Sequence, residues 1–300
     1  MTFRAATTCC VLLALALPAA ADETTYDLRA GDDYTPAVGD VLRVETSERQ
    51  KSQVVVRSGE QVLQRQEGEQ GQAATYTEEV LEVDDQGQVS RARRVYESFR
   101  DVDAGEAPDV LGLAVLLERG KDGKHAFVAE GDATVPPALR ARLDQEALQR
   151  DMKRELGDRE KERQHALLPD EPVPVGATWE ITPEQALTAF GFQDSALHPE
   201  QTKVVGTFRS LEERDGVTFM NVHVDVDLAF TRFQGLDCPE PASFKLALEL
   251  LLPEGGTSPA GEARLTGVFD GEPTVPDAPG VTMAVDLELE NAQRRTRVGG

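Results

Sequence analysis

The chain has 300 residues, 54 of them acidic and 31 Lys or Arg, for a net charge of −23. A surface so negative repels phosphate backbones and disfavours anionic membrane headgroups, so nucleic acid is excluded as a natural partner and the acidity is read as solubility in an outside medium. The three cysteines include only one beyond residue 10, which excludes a fold stapled by internal disulfides once the N-terminus is removed.

Arg4 begins a short positive stretch, residues 11–17 are apolar, Pro18 ends that run, and Ala19-Ala20-Ala21 places small residues before Asp22. This is the order of a secretory signal, so residues 1–21 are expected to be cleaved after Ala21, giving an exported protein, periplasmic or secreted. A lipid-anchored alternative would use Cys9 or Cys10. Such an anchor needs the apolar run before the cysteine, and here it comes after. No later stretch is long and apolar enough to span a bilayer.

Residues 22–133 form an N-terminal antiparallel β unit in this reading. Residues 41–48, 52–57, 75–83 and 89–99 read as strands, with turns at Asp84-Asp85-Gln86-Gly87 and Gly120-Lys121-Asp122-Gly123. Arg91, Arg93, Arg94 and Arg100 lie on one of these strands among acidic neighbours, and cross-strand pairing explains them better than an anion site.

Residues 134–168 are the helical segment, opened by Pro136-Pro137 and closed by Pro169 and Pro172. Ion pairs at helical spacing join Arg140 with Asp144, Glu146 with Arg150 and Glu155 with Arg159. The segment has two apolar stripes, Leu139-Leu143-Ala147 and Leu148-Met152-Leu156, on opposite sides. Three large side chains at spacing four favour burial of the later stripe, which leaves Leu139 and Leu143 as candidate ligand contacts. Thr182 and Gln185 fit the capping box of a second, short helix.

Residues 169–300 are the C-terminal antiparallel β unit. Met220, Val222, Val224, Val226, Leu228 and Phe230 alternate with polar positions, and the pattern returns at Phe244 to Leu252, Ala263 to Phe269 and Val281 to Leu289. Such alternation defines strands with one apolar face. Asp215-Gly216 marks a tight hairpin. Val38-Gly39 before one strand and Val175-Gly176 before another suggest that the two units are duplicates. The net charges of the three segments, −12, +1 and −13, follow the same division: residues 22–133 hold 25 acidic and 13 basic side chains, 134–168 hold 7 and 8, and 169–300 hold 22 and 9.

The expected fold is therefore α+β and mostly antiparallel, with two similar half-barrel or sandwich units and one long connecting helix packed on a sheet face. The run Leu167-Leu168-Pro169-Asp170-Glu171-Pro172-Val173-Pro174-Val175-Gly176-Ala177-Thr178-Trp179 resembles a segment of uncharacterised exported bacterial β-rich proteins with the order strands, helix, Pro-Val-x-Val-Gly-x-x-Trp, strands. That resemblance implies the architecture and carries no catalytic or binding residue.

His223, Asp225 and Asp227 share one face of a strand and are the nearest approach to a metal site. The outer two stand about 13 Å apart along an extended strand, which argues for a solvated polar face instead. Cys238 sits in a loop-like Asp-Cys-Pro and is expected to pack as a small hydrophobe. Gly256-Thr257-Ser258-Pro259-Ala260 lacks the final glycine and the strand-to-helix setting of a serine nucleophile. No phosphate loop, dinucleotide fingerprint or paired-cysteine motif occurs, so no cofactor is expected.

The composition and patterning point first to a non-enzymatic monomer that binds a lipid or other apolar ligand on an inner sheet face. The alternative is an envelope structural protein that meets another protein. A hydrolase comes third, for want of a convergent catalytic set.

Overall fold

The computed structural model describes residues 24–32, 34–102, 109–192, 194–256, 258–274 and 281–298, so the expected export signal and cleavage after Ala21 lie outside the described residues. In chain order, β1 (Thr25–Tyr26), β2 (Val41–Ser58), β3 (Gln61–Val83), β4 (Val89–Asp101), β5 (Ala114–Arg119) and β6 (His125–Ala129) precede α1 (Pro137–Leu156) and α2 (Asp158–His165). Then follow β7 (Val173–Pro174), β8 (Thr178–Glu180), α3 (Pro183–Phe190), β9 (Ala196–Leu197), β10 (Lys203–Arg214), β11 (Val217–Phe233), β12 (Leu236–Pro253), β13 (Gly261–Gly271) and β14 (Val281–Arg297).

The structure is mostly antiparallel β, but apart from β1 and β7, which pair in a small sheet of their own, the strands of the two expected units belong to one sheet. Its order is β6-β5-β4-β3-β2-β14-β13-β12-β11-β10-β8, with β9 beside β11. Each block is a meander, because strands successive in the chain pair as neighbours in the sheet. The blocks meet where β14 pairs with β2, from Val281 opposite Ser58 to Arg297 opposite Leu42. The turn glycines of the suggested repeat do share a geometry, with φ of 91° at Gly39 and 87° at Gly176. The strands after them differ: β2 is a long central strand and β8 a three-residue edge strand.

The hairpins fall where the turn residues place them. Asp215 and Gly216 adopt φ of 51° and 74°, the left-handed pair a two-residue turn requires. The polar run from Gln61 to Gln72 carries no alternation and reads as a gap between strands, yet it forms half of β3. It is strand because β2 supplies its hydrogen-bond partners, not because a core takes its side chains. Cys238 likewise lies within β12 and not in a loop, buried in the C-terminal core.

The helical segment is two helices. Gly157, at φ 50° and ψ −121°, breaks it between α1 and α2. The stripe expected to be buried is the exposed one: Leu148 is 60% and Met152 53% exposed, while Leu139, Leu143 and Ala147 are buried. Charged residues extend the buried face. At about 100° per residue, Glu146, Arg150 and Arg154 lie within about 60° of Leu139 around the helix, so the contact face continues in polar side chains. Counting apolar residues alone selects the wrong side.

The Trp of the Pro-Val-x-Val-Gly-x-x-Trp segment is a clamp. Trp179 lies over Gly206 of β10, where a Cβ would stand 2.1 Å from the indole, and its Nε1 donates to the Leu167 carbonyl at 3.0 Å. It thereby ties the chain leaving α2 to the sheet.

Two expectations follow for stability. Leu143→Ala should cost about 2–5 kcal/mol, whereas Met152→Ala should stay within about 0.5 kcal/mol, measured by denaturant unfolding. Gly206→Ala should cost about 1–3 kcal/mol by overpacking against Trp179. Gly68→Ala, whose Cβ meets only the Ser52 hydroxyl at 3.6 Å, should be tolerated.

Candidate apolar binding face

Residues paired across an antiparallel ladder share a face, so the register decides which side chains line up. Val44 of β2 stands opposite Tyr76 on one side and Arg295 on the other. Val54 stands opposite Val285, and Leu287 and Leu289 of β14 stand opposite Phe269 and Gly267. Phe269 pairs with Phe244, Leu265 with Leu248, and Phe244 with Leu228. The cores of both blocks therefore lie on the same face of one sheet.

Both ends of this face are covered. In the N-terminal block, Leu42, Val44, Tyr76, Tyr96, Val115, Leu117 and Phe127 form a core with Leu139, Leu143 and Ala147 of α1. In the C-terminal block, Val222 to Phe230 of β11 and Phe244 of β12 pack with Leu28, Leu167, Leu168, Ile181 and Ala186. Between them the face is apolar but only half-buried. Val54 and Val56 of β2, Val281, Met283, Val285, Leu287 and Leu289 of β14, Leu265 of β13, and Leu248 and Leu250 of β12 form one strip over four adjacent strands.

The opposite face of the same strands is a mat of exposed charges. Lys51 pairs with Glu288, Arg264 with Glu290, Lys245 with Asp227 and Arg209 with Glu249. A shallow depression of about 390 Å³ opens among Arg49, Lys51, Thr266, Val268 and Glu288. The charges in its wall are paired, Arg49 with Glu69 and Lys51 with Glu288, so they do not converge on it.

A buried ion cluster fixes the N-terminal flank. Arg94 of β4, 2% exposed, donates to both oxygens of Glu146 on α1 at 2.6 and 2.5 Å and to Glu78 of β3 at 2.5 Å. Its guanidinium also lies 4.3 Å from the centre of the Tyr76 ring and 4.9 Å from that of Phe127. Arg150 adds a 3.1 Å bond to Glu146. Burial alone would raise the Glu146 carboxyl, but the charge and hydrogen bonds of Arg94, with help from Arg150, hold it down to about 2. Glu78 is lowered by the same two arginines against the same burial penalty. His125 and Asp151, 2.7 Å apart, and Arg154, which donates to the Gly123 carbonyl at 2.6 Å, extend the polar seam along α1.

His223 contacts Asp225 at 2.9 Å, but Asp227 turns to Lys245, so the three do not converge. Among the described residues no three His, Cys, Asp or Glu side chains group as a cation would require. Leu139 and Leu143, 0% and 1% exposed, are core residues under α1, away from the open strip. Ser258 is buried and its hydroxyl accepts from the Ala260 amide. Burial raises the Cys238 thiol above its ordinary pKa. Among the arginines of β4, Arg91 pairs with Glu82 and Glu118, and Arg93 with Glu130. The strip itself was written in the alternation of β14; what the alternation lacked was which strands would cover it.

No helix among the described residues is long and apolar enough to cross a membrane. No family model and no curated protein matches the sequence. Among solved structures, the chain is similar to lipovitellin, from a structure of its lipid–protein interactions, at 10% identity and a TM-score of 0.30, over 88% of this chain. It spans 25% of the lipovitellin chain. It is also similar to Salmonella typhi OmpF in complex with daunomycin, at 8% identity and a TM-score of 0.20, over 85% of this chain and 98% of that one. Similarity of this order does not define a shared fold.

The ion cluster sets an acid limit. A folded-state pKa below the ordinary carboxylate value of 4.5 stabilises the protein above that pH, and the contribution is lost as pH falls towards 2. Glu146→Gln should flatten the fall in unfolding free energy between those pH values. Arg94→Met, which leaves two buried carboxylates with Arg150 alone, should cost about 3–5 kcal/mol at neutral pH. Cys238 should react with a thiol reagent only at the rate of unfolding.

Proposed function

We propose that this protein is a non-enzymatic carrier or sequestering module for a lipid or other apolar ligand, held on the half-buried strip of the sheet. The observation that carries the reading is the strip itself: Val285, Leu287, Leu289, Leu265, Leu248 and Leu250, partly buried where they pack against the C-terminal core, form one apolar surface between the two covered cores. A contiguous apolar patch of this kind marks a binding surface, because water is a poor partner for it. On this reading the expected pair of half-barrels becomes the two covered flanks of a single open face. The export signal read in residues 1–21 would place a monomeric carrier outside the cytoplasm.

An envelope-interaction protein is the second reading, and one observation favours it. Among the described residues Gln61–Gln70 of β3 pair with β2 on one side only, and Val62 and Leu63 near the hairpin tip are 52% and 54% exposed. An unpaired strand edge is a template for another chain.

Titration with N-phenyl-1-naphthylamine, a neutral dye that fluoresces in apolar surroundings, separates the two. Saturable enhancement is expected, with Leu287→Asp weakening it about tenfold or more while the protein stays folded, since a carboxylate on the strip must be desolvated under the dye. No saturable enhancement, or an unchanged affinity in Leu287→Asp, overturns the carrier reading and leaves the strand edge as the functional surface.

A further inference from the structure

The strip has a cationic end. Arg142 of α1 reaches over β2, where its Nη2 donates to the Thr46 hydroxyl at 2.5 Å, while its buried Nη1 has no hydrogen-bond partner among the described residues. Thr46 stands opposite Gln293 of β14, and the next residue on the same face of β14 is Arg295, opposite Val44. Arg295 is exposed and makes no ion pair among the described residues, unlike Arg297, which faces Asp40 at 3.7 Å. Arg142 and Arg295 thus put two guanidiniums without a paired carboxylate on this face, in a chain of net charge −23.

Running from Arg295 along that face of β14, the side chains are Gln293, Asn291, Leu289, Leu287, Val285, Met283 and Val281. Cationic, then amide, then apolar is the complement of an amphiphile laid along the strand. From Gln293 to Leu289 is about 13 Å, and the apolar part to Val281 is about 26 Å at a strand rise of about 3.3 Å per residue. One lipid chain occupies about 15 Å, half the thickness of a bilayer core. The amide stretch, with Gln50 beside Leu289, is too long for a bare carboxylate head and suits a glycerol ester.

We propose that the ligand is a glycerophospholipid, its phosphate on Arg142 and Arg295, its ester and glycerol oxygens at Asn291 and Gln293, and its acyl chain on Leu287, Leu289 and Val285. The assignment rests on the carrier reading above and narrows it. Arginine suits the role because its planar fork donates two parallel hydrogen bonds to phosphate. The overall charge still opposes an anionic membrane surface, but beyond about 10 Å it is screened at moderate salt, and a single headgroup responds to the nearest charges. One of those is unfavourable. Glu48, opposite Asn291 on the same face, repels the phosphate.

The test compares two soluble displacers of bound N-phenyl-1-naphthylamine below their micelle concentrations. Lauroyl lysophosphatidic acid and monolauroylglycerol share chain, ester and glycerol and differ by the phosphate. The phosphate lipid should displace the dye at about tenfold lower concentration, the worth of a charged hydrogen-bonded pair. Arg295→Gln, at an exposed site that leaves the fold intact, and Arg142→Gln should each narrow that gap, and Glu48→Gln should widen it. Monolauroylglycerol should act alike on all of them. Equal displacement by the two lipids, or a full gap in the Arg142→Gln, Arg295→Gln double variant, overturns the phosphate assignment. Failure of the dye itself to bind overturns the carrier reading instead, so the two failures are distinct.

Discussion

The antiparallel ladder between β2 and β14 is the constraint on which the molecule depends. It joins the first long strand to the last, so nearly the whole chain must be synthesised and folded before it closes. Without it each block would end in an open edge. Its register also sets which side chains share the apolar face, because a one-residue slip would turn Val285, Leu287 and Leu289 onto the charged face and present Asp286, Glu288 and Glu290 to the apolar one.

That ladder makes a single face from two cores, and the helices then decide how much of it is covered. α1 is held over the N-terminal block by a buried network as much as by leucines. Arg94 gains nothing by burial alone; it is tolerated because Glu78, Glu146 and the rings of Tyr76 and Phe127 replace its water. Such a network specifies one seating of the helix, since a rotation that buried Leu148 and Met152 would leave charges unpaired beneath it. The helix is thus fixed over the N-terminal block, and Arg142 carries it on to Thr46 of β2. The strands between the two helical covers keep their apolar side chains half-open.

Sequence patterns were reliable where one residue's environment repeats along an element. The alternation from Met220 to Phe230 named six side chains, all of them buried in the C-terminal core. The capping box at Thr182 and Gln185 formed as spaced, with both hydrogen bonds present. Patterns failed where the partner, and not the residue, sets the outcome. Gln61 to Gln70 is exposed on both faces and is strand through β2 alone among the described residues. On α1, the buried stripe passes from leucine to arginine and glutamate, and no hydrophobic periodicity records that change.

By itself the sequence determined the antiparallel meanders, their turns, the short capped helix and the apolar parity of each C-terminal strand, because these depend on neighbours a few residues away. Tertiary structure decided that the two blocks share one sheet, which side of α1 is buried, and that Arg142 reaches Thr46 on the face that carries the apolar strip. Each of these is a pairing between residues far apart in the chain, from 96 positions between Arg142 and Thr46 to more than two hundred between β2 and β14. Local propensity carries no information about such distances; only the closed ladder and the seated helix supply it.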